Sequence, residues 1–311
     1  FEELEIMPQL KKILVGVDLL QSRQGELSPP VAEAVKQALW LAKKLSGEIM
    51  YLSTIELPRE DELFTPLEDH QQIVREVEAA ALEALQKLVE QAKGRGVRAN
   101  RKLAYGTGWI ELTREATNGK YDLVVVGTRN LGAVRRTLFG STAMKLLHHC
   151  PSPVWVAKPD PHPTPTNLLV ASDFSAASDA ALRWALRIGA SSGAKLHLIH
   201  VLEHPYARLR DASLVEARHE ELYREQSRAA AEERLKEQLV RISGAAGCNA
   251  EVCVAEGPYF ADDAILRYIE AHQIDLLVMG TRGRTGIAGF LIGNTAERLV
   301  TAVGCSLLAV R

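Results

Sequence analysis

Aromatic residues make up only 5% of this 311-residue chain, and neither sign of charge prevails: 37 Lys and Arg face 39 Asp and Glu, for a net charge of −2. Lacking a basic field, the chain is not expected to bind nucleic acid non-specifically. No apolar run approaches the roughly 20 residues of a membrane span, so no membrane partner is expected. No secretory signal opens it, which points to a cytoplasmic protein; the chain begins at Phe1 rather than Met, so a start further upstream is expected. Cysteine is sparse. Cys150, Cys248, Cys253 and Cys305 show neither paired nor metal-ligand spacing and read as reduced packing residues. Also absent are a Gly-x4-Gly-Lys-Ser/Thr phosphate loop and a Gly-x-Ser-x-Gly elbow. No Mg²⁺-plus-base constellation for fast phosphoryl transfer stands out. The adjacent pair His148-His149 does not share a helix face, so helix-end charge or packing is its default role. Neither catalytic residues nor metal ligands are assigned.

What the chain has, it has twice. Gly280-Thr-Arg-Gly283, nine residues and then Gly293-Asn294-Thr295 follow the apolar run Ile274 to Met279. One repeat earlier, Gly127-Thr-Arg-Asn130, nine residues and Gly140-Ser141-Thr142 follow Leu123 to Val126. The copies align without a gap from Asp122/Asp275 to Val156/Ala309, and the second glycine of the spacing is Asn130 in the first copy but Gly283 in the second.

Around each loop the pattern alternates. Apolar runs ending at Asp18 and Asp173 read as buried parallel strands, each followed by a helix (Val31 to Leu45; Ala176 to Ala190) that a left-handed Gly47 or Gly193 would end. Second strands (Glu48 to Ile55; Lys195 to Leu202), charged amphipathic helices (Asp69 to Lys93; Glu220 to Ser243) and third strands (Arg98 to Ala104; Ala250 to Ala255) come next. A short helix, a fourth strand, the glycine loop, a helix and a fifth strand (Val154 to Ala157; Leu307 to Val310) close each copy. Such alternation predicts two tandem doubly wound, Rossmann-like α/β domains, each with a parallel five-stranded sheet, over residues 1–158 and 159–311. The proline-rich stretch Lys158 to Thr166 reads as a stiff linker. Unpaired fifth-strand edges could pair with each other and form an internal pseudo-dimer.

In doubly wound sheets ligands bind beyond the carboxyl ends of the strands, at the switch point. A phosphate chain there needs inward-facing N–H groups with nothing bulky beside them, which Gly280, Gly283 and Gly293 would permit. The N–H groups of Asn294 and Thr295 would face an anion at a positive helix end, and Arg282 would add charge. Asp262 and Asp263 at a helix start have favourable dipole interaction as their default role.

This combination resembles the universal stress protein family, whose nucleotide-binding members carry Gly-x2-Gly-x9-Gly followed by Ser, Thr or Asn. Asp173-Phe-Ser175, His200-Val201 and Gly257-Pro258 are similar to further family positions, and both halves are covered. Cys150-Pro-Ser-Pro-Val-Trp155, Gly283-Arg-Thr-Gly-Ile287 and Gly293-Asn-Thr-Ala-Glu297 look most like the tandem E-type branch. The resemblance implies ATP, or ADP or AMP, with Mg²⁺ as an optional companion, in the C-terminal half of a stress-response regulatory protein. Asp173 and Val201 would meet adenosine; Gly280, Gly283, Gly293, Asn294 and Thr295 would hold phosphates. Asp173 has an alternative as a hydrogen-bond anchor for its own loop. In the N-terminal half, Asp18, Gly127, Asn130, Gly140 and Ser141 mark a weaker, degenerate site, because asparagine adds bulk where glycine is expected. Slow ATP hydrolysis or autophosphorylation, and an interaction scaffold without nucleotide, are the alternative functions. Partners beyond the nucleotide would be a second copy of the chain and an unidentified regulatory protein.

Overall fold

The structure is a computed structural model that describes residues 10–19, 26–57, 67–128, 139–162, 164–203, 217–244, 250–257, 260–281 and 293–311. The described residues separate into two compact units that divide between Pro163 and Thr164. In the first unit β1 (Lys12–Gly16), α1 (Pro29–Leu45), β2 (Glu48–Ile55), α2 (Leu67–Gly94), β3 (Arg98–Tyr105), α3 (Gly108–Gly119), β4 (Leu123–Gly127), α4 (Ser141–His149) and β5 (Val154–Ala157) follow one another. The second repeats this as β6 (Asn167–Ala171), α5 (Ala176–Ser192), β7 (Lys195–Glu203), α6 (Ala217–Ser243), β8 (Ala250–Gly257), α7 (Ala261–Ala271), β9 (Leu276–Gly280), α8 (Asn294–Ala302) and β10 (Ser306–Val310). Within the units the strand orders are β3-β2-β1-β4-β5 and β8-β7-β6-β9-β10, and the pairings in both are parallel. Each unit is therefore a doubly wound sheet whose winding reverses between its first and fourth strands.

Central strands are apolar because both of their faces are covered. Leu123, Val124 and Val125 of β4 and Leu276, Leu277 and Val278 of β9 are fully buried. Amide groups at the opposite end of each sheet are secured by an aspartate. Asp122 Oδ2 accepts the N–H groups of Lys11 and Lys12 at 2.7 and 2.8 Å. Asp275 Oδ2 accepts those of Thr166 and Asn167 at 2.6 and 3.2 Å. β9 begins at Leu276, two residues later than the apolar run that starts at Ile274.

Helix ends correct one expectation. Gly193 is left-handed (φ 75) and caps α5, but α1 is capped by Ser46 (φ 56), not by Gly47. Gly47 has a different constraint: a Cβ there would lie 3.3 Å from the Leu10 carbonyl oxygen. The i,i+4 pairs Glu83–Lys87 and Glu232–Lys236, at 2.8 and 2.7 Å, lie on solvated faces of α2 and α6. Cys150 and Cys305 are buried, Cys253 is half-buried and none of the three is in a disulfide among the described residues; Cys248 lies outside them. Among the described residues no helix is long and apolar enough to cross a membrane.

Candidate functional site

At the carboxyl ends of β6, β7 and β9 a cleft of about 580 Å³ opens in the second unit. That volume suits a small organic ligand. Asp173, Val201, Gly280, Gly293, Asn294 and Thr295 all line it; Arg282 and Gly283 lie outside the described residues. Its apolar part comes from Ile199, Ile265, Met279 and Leu299.

One wall is the start of α8. Gly293 is the N-cap in an extended conformation (φ −66, ψ 148) and has no side chain with which to cap the helix. Its own N–H is engaged, donating to the Thr281 carbonyl at 2.9 Å, while Glu297 N–H returns to the Gly293 carbonyl at 2.9 Å. The intervening amides of Asn294, Thr295 and Ala296 have no acceptor among the described residues, as the first turn of an α-helix requires. These amides and the helix dipole make that end of the cleft attractive to an anion.

Gly280 has a packing role in the fold. Its φ is not positive, and neither is that of Gly293. A Cβ on Gly280 would lie 2.8 Å from Ala177 Cβ and 2.9 Å from the Ala177 carbonyl carbon. Glycine here lets the first turn of α5 press against the end of β9. Gly127 does the same for α1, since a Cβ there would stand 2.4 Å from the Pro30 carbonyl oxygen.

Opposite α8 the cleft meets the free edge of β7. Lys195 N–H donates to Thr166 O and Ser172 N–H to Ile199 O, at 2.9 and 2.8 Å, so the main-chain groups of odd-numbered β7 residues face β6. Because β6 stops at Ala171, paired with Ile199, the N–H and C=O of Val201 continue into the space that β6 has vacated. An adjacent donor and acceptor on a strand edge can recognise the edge of a heterocyclic base.

Between these walls stands Asp173. Its Oδ1 accepts Ser175 N–H at 3.0 Å, and Ser175 in turn caps α5 by accepting Ser178 N–H at 3.2 Å. Asp173 thus anchors its own loop through Oδ1 while lining the cleft. His200 donates from Nδ1 to the Ser172 carbonyl at 2.7 Å, which assigns the tautomer of its neutral form. Ser172, Glu203 and Thr281 also line the cleft; sequence reasoning missed them because no local motif marks a residue that becomes a wall only when strands align.

Asp262, in the first turn of α7, forms an ion pair with Arg298 of α8 at 2.7 Å, a contact its helix-start position does not predict. In the first unit Gly140 is likewise an extended N-cap without a side-chain bond, with Ser141 following it in α4. Gly127 ends β4 and Asp18 is exposed beyond β1, whereas Asn130 lies outside the described residues. His149 packs against Trp109 with ring centroids 5.1 Å apart. Among the described residues no group of three or more His, Cys, Asp or Glu is arranged for a metal ion.

The model of the universal stress protein family matches the chain twice, over residues 9–158 and 165–311. A universal stress protein of Mycolicibacterium smegmatis is 31% identical over 192 residues, 61% of each chain. Universal stress protein E of Escherichia coli is 25% identical over 208 residues, 64% of each chain. The chain thus spans about 61–64% of the length of these curated relatives. A crystal structure of a universal stress protein from Archaeoglobus fulgidus superposes with a TM-score of 0.67 at 21% identity, covering 96% of this chain and 98% of that one, which is a likeness of fold.

Proposed function

Because this chain belongs to the universal stress protein family, as a tandem member with E-type relatives, we propose that its C-terminal half binds an adenine nucleotide as a regulatory ligand. Residues 159–311 are the binding half in this reading, and 1–158 are its degenerate partner. The observation that carries it is the pairing of two complementary ends in one cleft of about 580 Å³. At one end, the amides of Asn294, Thr295 and Ala296 suit a phosphate tail. At the other, the free Val201 edge suits a base, with the Asp173 carboxylate between them to accept ribose hydroxyl protons. ATP, ADP and AMP all fit this description, and phosphate number is read at α8. The apolar floor of Ile199, Ile265 and Leu299 would cover the face of the purine.

A regulatory role needs different affinities for two states of the protein, and the nucleotide then acts by biasing them. The same reading puts the protein in the cytoplasm, in keeping with described cysteines that form no disulfide. Titration calorimetry of the full chain with ATP, AMP and GTP tests the proposal. Saturable adenine-nucleotide binding, with a rise in melting temperature that follows ligand concentration, is expected. An absence of heat and of thermal shift for every nucleotide would refute it.

A further inference from the structure

Four non-glycine residues among those described have a left-handed backbone: Ser46, Lys120, Phe174 and Gln273. Ser46 and Lys120 are the C-caps of α1 and α3, and Gln273 directly follows the C-cap of α7. Left-handed geometry is ordinary at those places. Phe174 is different. A bulky aromatic at φ 64 is a strained residue, and it stands between Asp173 of the cleft and Ser175, the cap of α5.

The supports of this turn come from α6. Ser172 Oγ accepts Phe174 N–H at 3.1 Å and donates to Gln238 Oε1 at 2.7 Å. Gln238 Nε2 donates to Asp179 Oδ1 at 2.7 Å, and Arg241 takes the same carboxylate with two bonds of 2.8 and 2.9 Å. Above the turn, the Arg234 guanidinium lies 4.2 Å from the centre of the Phe174 ring, which also meets His200 at 4.4 Å. Gln238 itself is only 3% exposed and sits in the apolar stripe that Ala231, Leu235 and Ile242 form along α6. An apolar residue there would avoid the cost of burying an amide.

The first unit supplies the comparison. Aligning Ala79, Ala80, Ala81 and Leu85 of α2 with Ala229, Ala230, Ala231 and Leu235 of α6 puts Leu88 where Gln238 stands and Ala84 where Arg234 stands. Val17 takes the place of Ser172, since each sends its N–H to the second strand at 2.8 Å, to Leu52 and Ile199 respectively. Leu19 corresponds to Phe174 and is not left-handed. The polar and aromatic supports and the strained turn are thus missing together from the half whose glycine loop is altered.

We infer that Gln238 and Arg234 are positioning residues, which hold the left-handed turn at Phe174 and so set the Asp173 carboxylate for the nucleoside end of the ligand. Neither residue lines the cleft, so both act through the turn. The inference rests on the nucleotide reading above and deepens it. Gln238→Met and Arg234→Met in the full chain separate the two ends of the cleft. Adenosine and inorganic tripolyphosphate are titrated separately, with the melting temperature measured in parallel. Adenosine affinity should fall about tenfold in each variant, as pre-organisation is lost, while tripolyphosphate affinity stays at the wild-type value. Unchanged adenosine affinity overturns the inference, and so does an equal loss for both probes, which would mean general loosening. Should Gln238→Met fail to fold, Arg234→Met carries the test, because that side chain is exposed. A wild-type protein that takes neither probe refutes the nucleotide reading itself and the inference with it.

Discussion

Gly280→Ala separates two explanations for the glycine at the end of β9. If glycine is there for backbone freedom, alanine should be harmless, because φ at 280 is not positive. If it is there for close approach, the new methyl must intrude on α5. The added Cβ would lie 2.8 Å from Ala177 Cβ, 2.9 Å from the Ala177 carbonyl carbon and 3.1 Å from Ser178 N. Carbon atoms prefer roughly 3.5–4.0 Å, so the overlap is on the order of 0.6–1.2 Å. Two of the three obstructing atoms are helix backbone, which cannot rotate away as a side-chain tip could. Overpacking of this kind costs about 1–3 kcal/mol. In a protein of this size that lowers the melting temperature by roughly 2–12 °C. Gly127→Ala should cost more, since its Cβ would meet the Pro30 carbonyl oxygen at 2.4 Å and the carbonyl carbon at 2.6 Å. Differential scanning calorimetry of both variants gives the answer. A Gly280→Ala protein that melts with the wild type would refute the packing argument.

Two further outcomes concern acidity. Burial opposes ionisation of Asp179, but the hydrogen bonds from Arg241 and Gln238 outweigh it and hold its carboxyl below the usual range. Its contribution is therefore present above the unfolded carboxylate pKa and lost as pH falls through the lower folded value. Asp179→Asn should cost about 1–3 kcal/mol near neutral pH, and the gap from wild type should close as pH falls below the ordinary carboxylate range, read by urea denaturation. His197 is buried between β7 and α7, its Nδ1 2.9 Å from Tyr268 Oη, and its Nε2 has no hydrogen-bond partner among the described residues. Burial, with the Lys195 ammonium beside it, holds this imidazole below the ordinary value of 6.5. Between the folded and unfolded values the unfolded chain binds more protons, so stability falls as pH drops below 6.5. His197→Leu should flatten that slope; an identical slope in parallel urea titrations would rule this histidine out as a source.

Much of the architecture could be read along the chain because it rests on local chemistry. Buried runs such as Leu123 to Val126, helix stripes and the doubled glycine spacing are patterns among near neighbours, and hydrophobic burial imposes them wherever a strand is covered on both sides. The same holds for Asn294 and Thr295, whose amides lack a helical acceptor simply because a helix begins there. Other features depend on partners distant in sequence. Nothing near Gly280 announces that Ala177 will press against it. Val201 lies on an open strand edge only because β6 ends two residues short of it, and its main-chain parity is set by the pairing with Thr166 and Ser172.

Gln238 makes the contrast sharpest. Along the chain it is one more polar residue on a charged helix, and only folding brings it to Ser172 and Asp179. Sequence alone established the two α/β units and the glycine-led start of α8, since both follow from spacing over a few residues. Tertiary packing decided which glycine is steric, which backbone edge is free and what holds Asp173, because each is a relation between segments that the chain keeps far apart.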